Sequence, residues 1–155
     1  MATAKDSFLY TRVRQFLNEQ IPFNKLLGIQ VTELRDGFAR LEIPFRTELV
    51  GDPFRPAIHG GVISALIDTC GGAAALTLIT PHGFLSTIDL RVDYLRPGQP
   101  DTLVCESTVI RMGNRVASVD SRVFHLGAHA ELIATGKAVY NIVKRVAGRP
   151  EAPSR

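Results

Sequence analysis

Apolar and polar positions along the chain change rhythm several times, and each rhythm predicts an element. In residues 6–20, Phe8, Leu9, Val13, Phe16 and Leu17 recur near a 3.6-residue period. That spacing predicts an amphipathic helix with Pro22 just beyond its end. Residues 28–35 and 38–45 read as two short strands, and Asp36-Gly37 between them is a hairpin signal. Residues 46–58 hold Gly51, Asp52, Pro53 and Pro56 and read as a loop. Residues 62–79 are then apolar almost all round, with the single charge Asp68. These 18 residues fall just short of the ~20 needed to span a bilayer. A carboxylate near the middle, with Gly71 and Gly72, is also costly in lipid. The segment therefore predicts a helix enclosed by the rest of a soluble fold.

In residues 84–96 the period becomes two. Phe84, Ser86, Ile88, Leu90, Val92 and Tyr94 alternate with Thr87, Asp89, Arg91 and Asp93, which predicts a half-buried strand that turns Thr87 outward with the charges. Further strands at 102–112, 115–126 and 130–144 are joined at Gly113-Asn114 and Gly127-Ala128, joints short enough to require antiparallel pairing. The fold class expected is α+β: a curved antiparallel sheet of five or six strands around one long apolar helix. It occupies residues 23–146 as a single domain, after an N-terminal helix in 1–22 and before a frayed tail in 147–155.

Composition narrows the function. The 155 residues fit one domain, and 45% apolar with 21% charged residues excludes a disordered or coiled-coil chain. A net charge of +3 is too weak to argue for nucleic acid but suits a small anionic ligand held by a few arginines. Cys70 and Cys105 lie in apolar or strand-like runs, and the first 14 residues lack the apolar core of a signal peptide. Reduced thiols in a cytoplasmic protein, with no membrane partner, are expected.

The chemistry concentrates where the loop delivers His59-Gly60-Gly61 to the start of the apolar helix. First-turn N–H groups have no intrahelical partners, and the helix dipole places its positive end beside them. They form a ready site for a developing oxyanion, and glycine lets a carbonyl approach the backbone closely. His59, at the helix entrance, either hydrogen-bonds a substrate or holds the loop. Asp68, two turns further in, is either a satisfied structural acid or a reactive one, because an unpaired buried carboxylate is expensive.

The segment His59-Gly60-Gly61 followed by Asp68 resembles the hotdog-fold acyl-CoA thioesterases, in the branch of the phenylacetate-pathway and 4-hydroxybenzoyl-CoA enzymes. Their helix opens with His-Gly-Gly and carries an acid nine positions after the histidine. The likeness continues through residues 86–98, which look like that family's third strand, and covers roughly residues 23–143. It implies a hotdog fold and hydrolysis of an acyl- or aryl-CoA to acid and CoA, without a cofactor beyond the CoA of the substrate. Gly60 would offer its N–H to the thioester carbonyl, and Asp68 would be nucleophile or general base. His59 would position the thioester, beside Gly61, and Thr87 would orient water or support the acid. Many relatives place an Asn in the loop before the helix. Here Asp52-Pro53 stands in that region, so the Asn role is filled by Asp52 or absent. Relatives often hold CoA phosphates near the turn that here is flanked by Arg111 and Arg115 around Asn114, and Arg91 is a further cationic candidate.

One consequence needs no resemblance. Gly60 and Asp68 are eight residues apart on one helix, so their backbones are separated by ~12 Å. A reacting carbonyl must lie ~3 Å from both donor and attacker. Two chains are therefore expected to meet, Gly60 of one facing Asp68 of the other, in a homodimer or in a homotetramer built from two such dimers. No metal is expected, since His82, His125 and His129 lack ligand spacing with an acid or cysteine. The alternatives are a hotdog enoyl-CoA hydratase or dehydratase and a non-catalytic acyl-CoA-binding module.

Overall fold

The computed structural model describes residues 4–79 and 83–144. The tail expected at 147–155 lies outside the described residues, as does His82. Helix α1 (Ala4–Gln15) runs into a π-helical turn (Phe16–Gln20), and Pro22 opens a second helix, α2 (Pro22–Leu27). Pro22 was expected only to follow a helix end. It does so and also starts the next helix, because proline's fixed φ and missing N–H suit the first helical position. Val13 and Leu17 are buried in the same core as the sheet.

Strands β1 (Gln30–Arg35) and β2 (Phe38–Ile43) form the expected hairpin, with Gly37 at φ 69° in the turn. The loop expected at 46–58 holds a small hairpin of its own, β3 (Val50–Asp52) and β4 (Ala57–Ile58). Helix α3 (Gly60–Leu76) is the central helix. It starts two residues earlier than the apolar run, because His59 is its N-cap and both glycines fall in its first turn. The chain continues through β5 (Gly83–Tyr94), β6 (Leu103–Met112), β7 (Val116–His125) and β8 (Ala134–Lys144). The six long strands form one antiparallel sheet in the order β1-β2-β6-β7-β8-β5.

This sheet wraps α3, whose Leu66, Ile67, Cys70, Ala73 and Ala74 are fully buried. Close approach is built from both sides. A Cβ at Gly136 of β8 would lie 2.4 Å from Ile67, and one at Gly71 would lie 2.3 Å from the Tyr140 hydroxyl. The curvature is marked by three register shifts, in β1 between Val31 and Glu33, in β5 between Thr87 and Asp89, and in β6 between Val109 and Arg111. A bulge adds one residue to one strand and bends it.

The β5 bulge overturns one expectation. Thr87 pairs with Tyr140 and Leu90 with Ala138, two inward-facing buried residues, so Ile88 is the extra residue. Without it, Thr87 and Leu90 would point to opposite faces. Thr87 therefore faces α3 rather than joining Asp89, Arg91 and Asp93 outside, and Ile88 is 59% exposed. Among the described residues no helix is long and apolar enough to cross a membrane.

Candidate active site

The start of α3 is assembled by three neighbours. The Ile58 N–H donates to Gly98 O at 2.8 Å and the His59 N–H to Leu49 O at 2.8 Å. Gly51 of β3 passes so close that a Cβ there would lie 2.7 Å from His59 Cα, so only glycine leaves the junction in place. His59 Nδ1 accepts the Gly61 N–H at 2.8 Å, which puts the ring proton on Nε2. A Cβ on Gly61 would lie 2.9 Å from that Nδ1, so the cap requires the second glycine. The Val62 and Ile63 N–H groups turn back to His59 O. This leaves the Gly60 N–H, to which no acceptor is joined among the described residues. The Tyr94 hydroxyl donates to Gly60 O at 3.0 Å, and its ring lies against the Gly60 Cα.

Asp68 lies two turns along α3. It is half-buried rather than sunk in apolar surroundings, because its carboxylate opens on a cavity. The Thr87 hydroxyl donates to Asp68 Oδ1 at 2.8 Å. From below, the Tyr140 hydroxyl donates to the Asp68 backbone carbonyl at 2.8 Å. Burial, and then the nearby Asp68 charge, push the Tyr140 phenol well above its usual range, so it stays protonated and keeps donating. Tyr140 was not among the expected site residues. On an alternating strand a tyrosine reads as a core aromatic, and nothing local in the sequence marks its partner. Gly51 and Tyr94 were missed for the same reason, since their partners are distant along the chain.

Gly60 and Asp68 serve different cavities. Gly60 lines one of about 350 Å³ with Ile58, Tyr94 and Gly98. Asp68 and Thr87 line another of about 560 Å³ between α3, the start of β5 and the N-terminal helices. The two linings share no residue.

The other sequence candidates lie away from both cavities. Asp52 Oδ1 accepts the Phe54 and Arg55 N–H groups, and Oδ2 pairs with Arg55 Nε at 3.2 Å, so its carboxylate orders its own loop. The backbone donors, first from Phe54 and then from Arg55, hold that carboxyl below the usual aspartate range. Arg91 pairs with Asp93 at 3.0 Å, on the face of β5 turned away from α3. Arg111, Asn114 and Arg115 are exposed around the β6–β7 turn.

A free amide at a helix start and a carboxylate steadied by a hydroxyl are the equipment of a hydrolase of activated acyl groups. Comparison with known proteins agrees. A family model described as the Thioesterase superfamily matches residues 56–131. The medium/long-chain acyl-CoA thioesterase YigI of Salmonella typhimurium is 34% identical over 110 residues, covering 63% of this chain and 71% of that protein. A Shewanella oneidensis structure related to the thioesterase superfamily superposes with a TM-score of 0.77 at 27% identity, over 90% of this chain and 99% of that one. A thioesterase family protein from Silicibacter pomeroyi reaches 0.79 at 20% identity, over 88% and 99%, a likeness of fold. The chain belongs to the thioesterase superfamily: the fold is the hotdog, and the enzyme is a thioester hydrolase.

Proposed function

We propose that the protein hydrolyses an acyl-CoA to the free acid and CoA in active sites shared between two chains. The observation that carries the reading is the Thr87–Asp68 hydrogen bond in the wall of a cavity, with the free Gly60 amide outside that cavity. The named relative supports acyl-CoA as the substrate.

Strand β5, by its position, supports one way for two chains to meet. It is the edge strand of the sheet, 12 residues long, and such an edge is a template for another strand. Along it, Thr87 stands level with Asp68 and Tyr94 level with Gly60. A two-fold axis crossing β5 midway between Thr87 and Tyr94 sets Asp68 of one protomer against the partner's Gly60. The thioester carbonyl oxygen then accepts from the Gly60 N–H and the positive end of its helix. His59 Nε2–H is the donor left for orienting the substrate. Asp68 either takes the proton of an attacking water or attacks the carbonyl itself, with Thr87 holding the carboxylate. In either case the C–S bond breaks and the thiolate leaves and is protonated. With water as the attacker, its oxygen enters the acid. Direct attack instead forms an aspartyl–acyl anhydride that water opens at the Asp68 carbon, so the acid leaves with an Asp68 oxygen and the water oxygen stays on Asp68. Two free buried thiols, Cys70 and Cys105, support a reducing compartment such as the cytoplasm.

The test is thiol release from acyl-CoAs by wild type and Asp68→Asn. Release that falls at least a hundredfold with the substitution is expected; release that survives it refutes the assignment. A single turnover in labelled water separates the two roles of Asp68, since direct attack leaves the first label in the protein.

A further inference from the structure

The cavity at Asp68 extends well past the reacting groups. Helix α3 from Asp68 to Leu76 and strand β5 from Thr87 back to Gly83 run along it together. Eight helical residues cover ~12 Å, and four strand intervals cover ~13 Å. Its third wall is the N-terminal segment, where Leu9, Val13 and Phe16 stand among the polar Arg12, Gln15 and Gln20. The polar pair Asp68–Thr87 stands at one end, and Leu76 and Leu85 lie away from it.

Gly72 is the informative residue. It lines the cavity midway between Asp68 and Leu76, on the same i, i+4, i+8 stripe of α3. A glycine inside a helix weakens it. At Gly71 close packing explains the choice, since a Cβ would strike the Tyr140 hydroxyl at 2.3 Å. At Gly72 it does not: a Cβ there would meet only Tyr140 Cε1, at an ordinary 3.8 Å. What a side chain at position 72 would occupy is the cavity itself.

We propose that this cavity is the acyl channel, that the chain lies over Gly72 with its end at Leu76, and that it selects straight chains of about ten carbons. An extended chain of ~1.5 Å C–C bonds advances ~1.3 Å per carbon, so ~12 Å holds about nine carbons beyond the carbonyl. A volume of about 560 Å³ is that of a ligand site. An aryl group of half that length would leave the stretch beyond Gly72, beside Leu76 and Leu85, unfilled. Each methylene brought into the channel strengthens binding about fourfold. The inference rests on the hydrolysis proposed above, and its test separates the two.

Binding of S-decyl- and S-butyl-coenzyme A, thioethers that cannot be hydrolysed, reads the channel without turnover. Wild type is expected to bind the decyl compound at least tenfold more tightly. Gly72→Leu, which fills the channel, removes that margin and lowers the decanoyl-to-butanoyl ratio of kcat/KM at least tenfold. Phe16→Ala, at a 44% exposed position outside the buried core, reduces the same margin at least threefold. Equal affinities for the two thioethers in wild type, or an unchanged margin in folded Gly72→Leu and in Phe16→Ala, overturn the channel. A decyl margin with no turnover of any acyl-CoA upholds the channel and overturns hydrolysis.

Discussion

The proposed division of the active site between two chains predicts that two inactive variants will repair each other. Gly60→Pro removes only the amide proposed to face the carbonyl. Proline is at home at the first helical position, and His59 before it, at φ −60° and ψ 133°, already has the extended backbone that a following proline requires. The new ring meets Tyr94 Cε1, which a Cβ would approach to 3.3 Å, and that half-exposed side chain can give way. Loss of one oxyanion donor lowers kcat by about 10²–10³, or ~3–4 kcal/mol. Asp68→Asn removes the acid, a loss of about 10²–10⁴. Each homodimer should therefore work at or below about 1% of wild type. In a one-to-one mixed population half the dimers are hybrid. Each hybrid contains one site with both defects and one with none, so about a quarter of wild-type activity should return. The assay is thiol release after co-expression, with native mass spectrometry confirming hybrids. If hybrids form and activity remains at the mean of the parents, Asp68 and Gly60 act within one chain and the two-chain argument is wrong.

Thr87→Val should lower kcat about 10- to 150-fold at nearly constant KM, the range for losing a hydrogen bond to a charged group, while Thr87→Ser retains most activity. A matching rise in KM instead would make Thr87 a substrate-binding residue. Tyr140→Phe should reduce stability by about 1 kcal/mol in urea unfolding, through loss of its bond to Asp68 O. Burial raises the folded-state pKa of Tyr140, so its contribution is complete below the unfolded value of about 10 and drains away as pH rises beyond it. The wild type should accordingly lose more stability than Tyr140→Phe between pH 9 and 11, and parallel losses would contradict the assignment.

What could be read from the sequence, and what could not, divides along one physical line. Periodicity reports what a segment does by itself. The apolar run around Asp68, the Asp36-Gly37 turn and the alternating strands were all legible because each is a local pattern repeated over many residues. The separation of Gly60 from Asp68 was legible too, since helix rise depends on nothing outside the helix. The single residue that breaks a pattern was not. Ile88 is apolar and sits in phase with Leu90 and Val92, yet it is the one extruded, so that Thr87 turns inward. No local rule distinguishes that bulge from an unbroken strand. Its cause lies in β8, where Tyr140 and Ala138 must both face α3 and set the inward positions to which Thr87 and Leu90 are matched. The same tyrosine fixes the backbone of Asp68 and demands glycine at position 71. Thus one side chain from the far end of the sequence aligns the acid and its hydroxyl partner. The Asp68–Thr87 pair is a property of the β5–β8 register, which is why residue identity pointed to Thr87 through family resemblance while hydropathy alone placed it on the wrong face.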